Sequence, residues 1–296
     1  MSRALVRRPQ QLPLVPEHRR AYVVDFARSA LFGVGGKSDR VRFENKIVAS
    51  WSDTKIEYSG TELRSDDQDV LLALLHRARG MEWDSKEGIQ LEFSGNNLLL
   101  ELEWPSTSDY YTKLRDCLNR LQGGSVAIVR SEDGRVRRER CQLIRKFVEK
   151  PVAGARFPRW HVWIEPEMAQ MFGSEDRRYD FEWAHRRLLG KPIAKWLHSF
   201  LLTILVDPSE WVAVQEANLF YLTGSKATAT RTIRALVKSG LEEMLAKRVI
   251  YDFVLHQGMV YVAFQEGLDR NRASAATQQR LLAFQGAPDV AALETA

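Results

Sequence analysis

Residues 225–264 read SKATATRTIRALVKSGLEEMLAKRVIYDFVLHQGMVYVAF. Ile233, Leu236, Val237, Leu241 and Met244 recur at helical spacing, so the first part is an amphipathic helix. VIYDFV and MVYVAF, joined by LHQG, then read as a hairpin over 249–264. The outward face of the helix carries Lys226, Thr230, Arg231, Arg234 and Lys238, with Thr228 at the same end and no acid before Glu242. Exposed helices ordinarily mix charge signs, so this stripe points to a phosphate-backbone partner. A helix fits the major groove of DNA, where Arg, Lys and Thr reach base edges or phosphates.

Upstream, KPIAKWLHSFLLTIL (191–205) is one amphipathic helix, and VQEANLFYLTG (214–224) is a second that ends at Gly224. Three helices followed by a hairpin make a helix-turn-helix with a β-ribbon wing. The order recurs earlier in the chain. QDVLLALLHRAR (68–79) is helical, and Ser94 caps a short helix through NNLLLELEW that stops at Pro105. SDYYTKLRDCLNRLQ then buries Leu114, Cys117, Leu118 and Leu121 on one face and ends at Gly123-Gly124. Thr112, Arg115 and Asn119 lie on the other face, with Tyr110, Tyr111 and Lys113 in its first turns. SVAIVR, the turn at 132–134 and RVRRERCQLIRKFV read as a basic hairpin, the wing, with Arg135, Arg137 and Arg138 placed along DNA. The expected fold class is α+β, two tandem winged-helix domains. Sequence identity between the halves is negligible, so the repeat is architectural.

At 296 residues the chain has room for about two domains. The expected division is a flexible basic tail at 1–25, a first winged-helix domain at 26–175, a second at 176–267 and a disordered tail at 268–296. No apolar run reaches the ~20 residues of a membrane span, and no secretion signal is read in MSRALVRRPQ, so a cytoplasmic protein without a membrane partner is expected. Two cysteines make no disulfide framework, and six scattered histidines show no metal-ligand spacing. Net charge is +5, gathered at 3–8, 135–146, 177–187 and 226–238.

Gly36-Lys37-Ser38 imitates the end of a phosphate-binding loop. That motif needs a glycine five positions earlier, and Leu31 stands there with Phe32 behind it. Tyr110-Tyr111 raises a DNA-nicking nucleophile, but such chemistry takes two metal-binding histidines flanking one apolar residue. The nearest match, His161-Val162-Trp163, lacks the second histidine. The tyrosines therefore read as packing or DNA-contact groups. A binding protein is expected, with no catalytic residue, metal or cofactor.

FARSALF, NKIV, KIEYSGTELRSDD and YYTKLRDCLNRLQ, in this order and spacing, resemble the TrfA family of plasmid replication initiators. RCQLI and GLEEML continue the likeness more loosely, and together the blocks span about residues 11–264. The resemblance implies binding to direct repeats (iterons) in double-stranded origin DNA and help in opening an A+T-rich segment. Single-stranded A+T-rich DNA, a host initiator and helicase, and a second copy of the chain are further implied partners. The first winged helix is implied to make the dimer contact, with the monomer active and the dimer restraining copy number. Gln11, Leu12, Leu14 and Val15 stand where family members carry a sliding-clamp peptide, though Pro13 and Val15 depart from its pattern. A transcriptional repressor built from the same modules, acting on its own gene, is the alternative.

Overall fold

The computed structural model describes residues 10–35, 40–51, 54–83, 86–132, 135–151, 153, 158–225 and 229–270. In chain order come β1 (Gln10–Gln11), β2 (Arg19–Val23), α1 (Val24–Ala27), β3 (Phe32–Gly33), β4 (Arg42–Val48), β5 (Thr54–Thr61) and β6 (Leu63–Arg64). Next are α2 (Ser65–Arg77), β7 (Glu82–Trp83), β8 (Ile89–Ser94), α3 (Gly95–Glu101), α4 (Ser108–Gly123), β9 (Ser125–Glu132) and β10 (Arg135–Gln142). β11 (Lys146–Lys150), β12 (Arg159–Ile164), α5 (Pro166–Gly173), β13 (Arg178–Glu182) and α6 (Trp183–Leu188) follow. The last described elements are α7 (Pro192–Ile204), β14 (Val212–Gln215), α8 (Glu216–Leu222), α9 (Thr230–Ala246), β15 (Asp252–His256) and β16 (Met259–Ala263).

This mixed α/β chain divides by its contacts into two units. The first takes residues up to 23, 66–126 and 140–181; the second takes 24–65, 127–139 and the chain from 182 onward. The expected boundary at 175–176 is therefore not where the contacts divide, because two earlier stretches belong with the later helices.

Unit 1 contains α2, β8, α3, α4, β11 and β12 in that order, with β11-β12-β8 as an antiparallel sheet. Its elements follow from local sequence. Ile89, Leu91 and Phe93 of β8 are buried while Gln90 and Glu92 are exposed, the period of a half-buried strand. The Ser94 hydroxyl accepts from the Asn97 N–H at 3.2 Å and starts α3. Leu114, Cys117, Leu118 and Leu121 are the buried set of α4, as their spacing predicts.

Unit 2 repeats this order as α7, β14, α8, α9, β15 and β16, with sheet order β14-β16-β15. In both three-stranded sheets the last strand lies between the other two. Val237, Gly240, Leu241 and Met244 are buried in α9, at the same i, i+3, i+4, i+7 spacing as the α4 set. They join a core with Ile193, Trp196, Leu197 and Phe200 of α7. The Trp196 Nε1–H donates to the Ser29 carbonyl at 3.1 Å, and Val34 packs on the same core. ARSALFGVG is thus a packing element of this unit. Leu31 and Phe32 are buried there, while Gly36, Lys37 and Ser38 lie outside the described residues.

Three expectations change. The basic run RVRRERCQLIRKFV is two strands: buried Leu143 and Ile144 separate β10 from β11. β9 and β10 join β5 and β4 in a four-stranded sheet, so the hairpin bearing Arg135, Arg137 and Arg138 does not close the unit 1 sheet; β11 and β12 do. The hairpin is taken there by the lateral pairing of β9 with β5, a strand remote in sequence. Val214 and Gln215, expected to open a helix, belong instead to β14, because Val212–Gln215 pairs with Val262–Met259 of β16. Finally, residues 10–23 are placed on unit 1 through β1 pairing with β7, unlike a free tail. The C-terminal disorder expected at 268–296 falls outside the described residues beyond Arg270.

Candidate nucleic-acid interface

α4 and α9 each bury one stripe, and the opposite stripe is where the expected contacts lie. On α9, Thr230, Arg231, Arg234 and Lys238 are exposed. Lys226 and Thr228 lie outside the described residues. Two acids meet the stripe, Glu216 from α8 and Glu242 from the next turn of α9 itself. Arg234 Nε lies 2.8 Å from Glu216 Oε1 at the start of α8. Lys238 Nζ is 3.7 Å from Glu242, an exposed pair of little energetic weight. Arg231 has no ion pair among the described residues, which leaves it the open cation of the face.

On α4, Thr112 and Asn119 are exposed and Arg115 is partly so. Arg115 engages Glu149 of β11 bidentately through one edge of its guanidinium, Nε to Oε1 at 2.5 Å and Nη2 to Oε2 at 3.1 Å. That hydrogen bonding raises the Arg115 pKa above its already high value, so the guanidinium stays charged. The two tyrosines part company. Tyr111 packs edge-on against buried Trp160 with centroids 6.4 Å apart, and a Cβ on Gly95 would stand 2.9 Å from its ring. Tyr110 lies beside Trp104 at 6.0 Å, and Lys113 Nζ sits 4.2 Å over the Trp104 ring. Lys113 is therefore held at the first turns of α4 by a cation–π contact.

Arg138 pairs with Glu57 of β5 and belongs to unit 2; nothing is described of the Arg135 and Arg137 side chains. Sequence reasoning missed Glu149 and Glu216. Glu149 was legible in principle: in KFVEK it shares a sheet face with Phe147, which packs on Trp160 below α4.

The proposed clamp peptide is only half available. Gln11 Nε2–H donates to the Gly80 carbonyl at 2.7 Å, and Leu12 exchanges backbone bonds with Met81 and Gly80. Leu12 and Val15 are buried, whereas Leu14 is 82% exposed. Asp66, Asp67 and Cys117 form the one metal-like cluster among the described residues. Its charge is met by Arg120, whose Nε lies 2.8 Å from Asp67, and burial pushes the Cys117 thiol well up, keeping it protonated.

A sequence profile described as TrfA protein matches residues 10–262. The plasmid replication initiator protein TrfA of Escherichia coli is 26% identical over 250 residues, which is 83% of this chain and 62% of that protein. The chain thus spans less than two thirds of that relative. A crystal structure of domains 2 and 3 of RctB superposes with a TM-score of 0.50 at 11% identity, over 79% of this chain and 95% of that one. That likeness concerns fold alone.

Proposed function

The chain belongs to the TrfA family, and from that premise we propose that it is a non-enzymatic plasmid replication initiator binding duplex DNA. The observation that carries this is the repeated α–β–α–α–β–β order, with the same buried set on α4 and α9. Such an order is that of a winged helix. In this reading α4 and α9 enter major grooves, and the β11–β12 and β15–β16 hairpins are the wings. Arg231, Arg234, Lys238 and Thr230 of α9, with Lys113, Arg115 and Asn119 of α4, supply the contacts.

Two modules reading grooves about 10–10.5 bp apart cover a repeat on the order of 20 bp, an iteron. Opening of A+T-rich DNA, recruitment of a host initiator, helicase and sliding clamp, and self-association complete the proposal. Clamp capture through Gln11, Leu12, Leu14 and Val15 requires Leu12 and Val15 to leave unit 1. A plasmid with the origin repeats but no initiator gene, supplied with this chain in trans, tests the reading. Establishment of the plasmid is expected. Repeat binding without establishment would assign a repressor instead. A Mg²⁺-dependent nick lost in Tyr110→Phe would overturn the non-enzymatic reading.

A further inference from the structure

Arg234 and Glu216 occupy a position that both modules use differently. The second and third helices of each module meet at the first residue of the shorter one: Gly95 in α3 and Glu216 in α8. In unit 1 the residue facing it is Tyr111, and the contact is an aromatic ring laid against glycine and Trp160. In unit 2 the residue three before the first buried member, as Tyr111 is in α4, is Arg234, and the contact is an ion pair. Helix packing alone is served by the first arrangement. The second puts a carboxylate of 11% side-chain exposure against a guanidinium that stays 51% exposed.

An acid at the start of α8 is favoured by the helix dipole, which accounts for a carboxylate but not for its partner. Arg234 adds a charged partner. The contact is an ion pair, Nε to Oε1 at 2.8 Å, on a buried carboxylate oxygen that accepts no hydrogen bond among the described residues, and it is made at Nε and not at the two terminal nitrogens. Those nitrogens form the fork that matches the O6 and N7 acceptors of guanine. The anchor is itself fixed, because the Glu216 N–H donates to the Gly258 carbonyl in the β15–β16 turn at 2.8 Å. A long flexible side chain tethered by an ion pair loses less freedom when it binds a base.

Resting on the duplex-recognition reading above, we infer that Glu216 is a specificity-determining positioning residue that aims Arg234 at a guanine of the cognate site. Glu216 touches no base. Its charge repels phosphate, so it disfavours use of Arg234 as a general backbone contact and sharpens discrimination.

The test is a double-mutant cycle with the full chain. Wild type, Glu216→Gln, Arg234→Ala and the double variant are titrated with the selected cognate duplex and with a random duplex at one salt concentration. Thermal melting is followed in parallel. Glu216→Gln is expected to lose about tenfold on the cognate duplex while holding or gaining on the random one. Arg234→Ala is expected to lose as much, and the double variant no more than Arg234→Ala. Guanine replacement at one position of the site should abolish the difference between wild type and Glu216→Gln. Equal losses on both duplexes, or a lowered melting point with an unchanged cognate-to-random ratio, would overturn the positioning role and leave duplex recognition standing. A wild-type chain with no cognate preference would overturn both.

Discussion

His198 lies fully buried in α7, and burial, reinforced by the neighbouring Arg186 and His185, lowers its pKa to about 3. In unit 1 burial, with Arg20 and Arg79 nearby, lowers that of His76 to about 4. Each imidazole is neutral in the folded chain, whereas the unfolded chain takes up a proton near pH 6.5. Folded stability is therefore whole above pH 6.5 and falls as pH drops from there towards 4. The slope is up to about 1.4 kcal/mol per pH unit for each group. Urea unfolding between pH 7 and 4 should show this decline, and His198→Gln should flatten it. An acid limb unchanged in that variant would mean His198 is reached by protons without unfolding. At the same scale, the partners of Arg115 and Arg234 were invisible to the helical period. Periodicity reports which side of a helix is wet, and says nothing of Glu149, 34 residues away from Arg115 on a strand.

The helices are the most legible elements. The apolar spacing matched the buried residues of α4 and, on α9, Val237, Leu241 and Met244, while Ile233 and Leu236 are only partly buried; 3.6-residue periodicity is local. Sheets were harder, since pairing partners are remote. One unbroken basic run hid a change of sheet at Leu143 and Ile144, and four-residue β14 exists only through its pairing with β16. β1 shows the same dependence, and it is testable. Gly80 has φ +69°, and a Cβ there would stand 2.7 Å from Leu14 Cδ2. Gly80→Ala should loosen the segment, at a cost of about 1 kcal/mol or more for the left-handed backbone. Hydrogen exchange at the Leu12 amide, bonded to the Met81 carbonyl, should accelerate while that of α2 does not. Protection unchanged at Leu12 would show that β1 is held by its other contacts. On α9, Arg231→Ala should weaken binding on all duplexes alike and reduce the salt slope by about one. A loss confined to the cognate site would make Arg231 a base reader.

For the whole molecule, family membership and a twice-used element order point the same way. The mixed α/β class and the helices α4 and α9 could be read from residues 68–124 and 191–264. The division into units could not, because residues 24–65 and 127–139 join a unit whose helices come much later in the chain. The tandem arrangement makes a demand on the DNA. Two different modules on one chain share no two-fold axis, so one chain should read an asymmetric site, whereas a palindrome answers a two-fold dimer. The most direct measurement is selection of bound duplexes from a random pool, followed by footprinting and determination of the number of chains bound. The account predicts a non-palindromic site of about two helical turns, occupied by one chain. A palindromic site occupied by a symmetric dimer would contradict it.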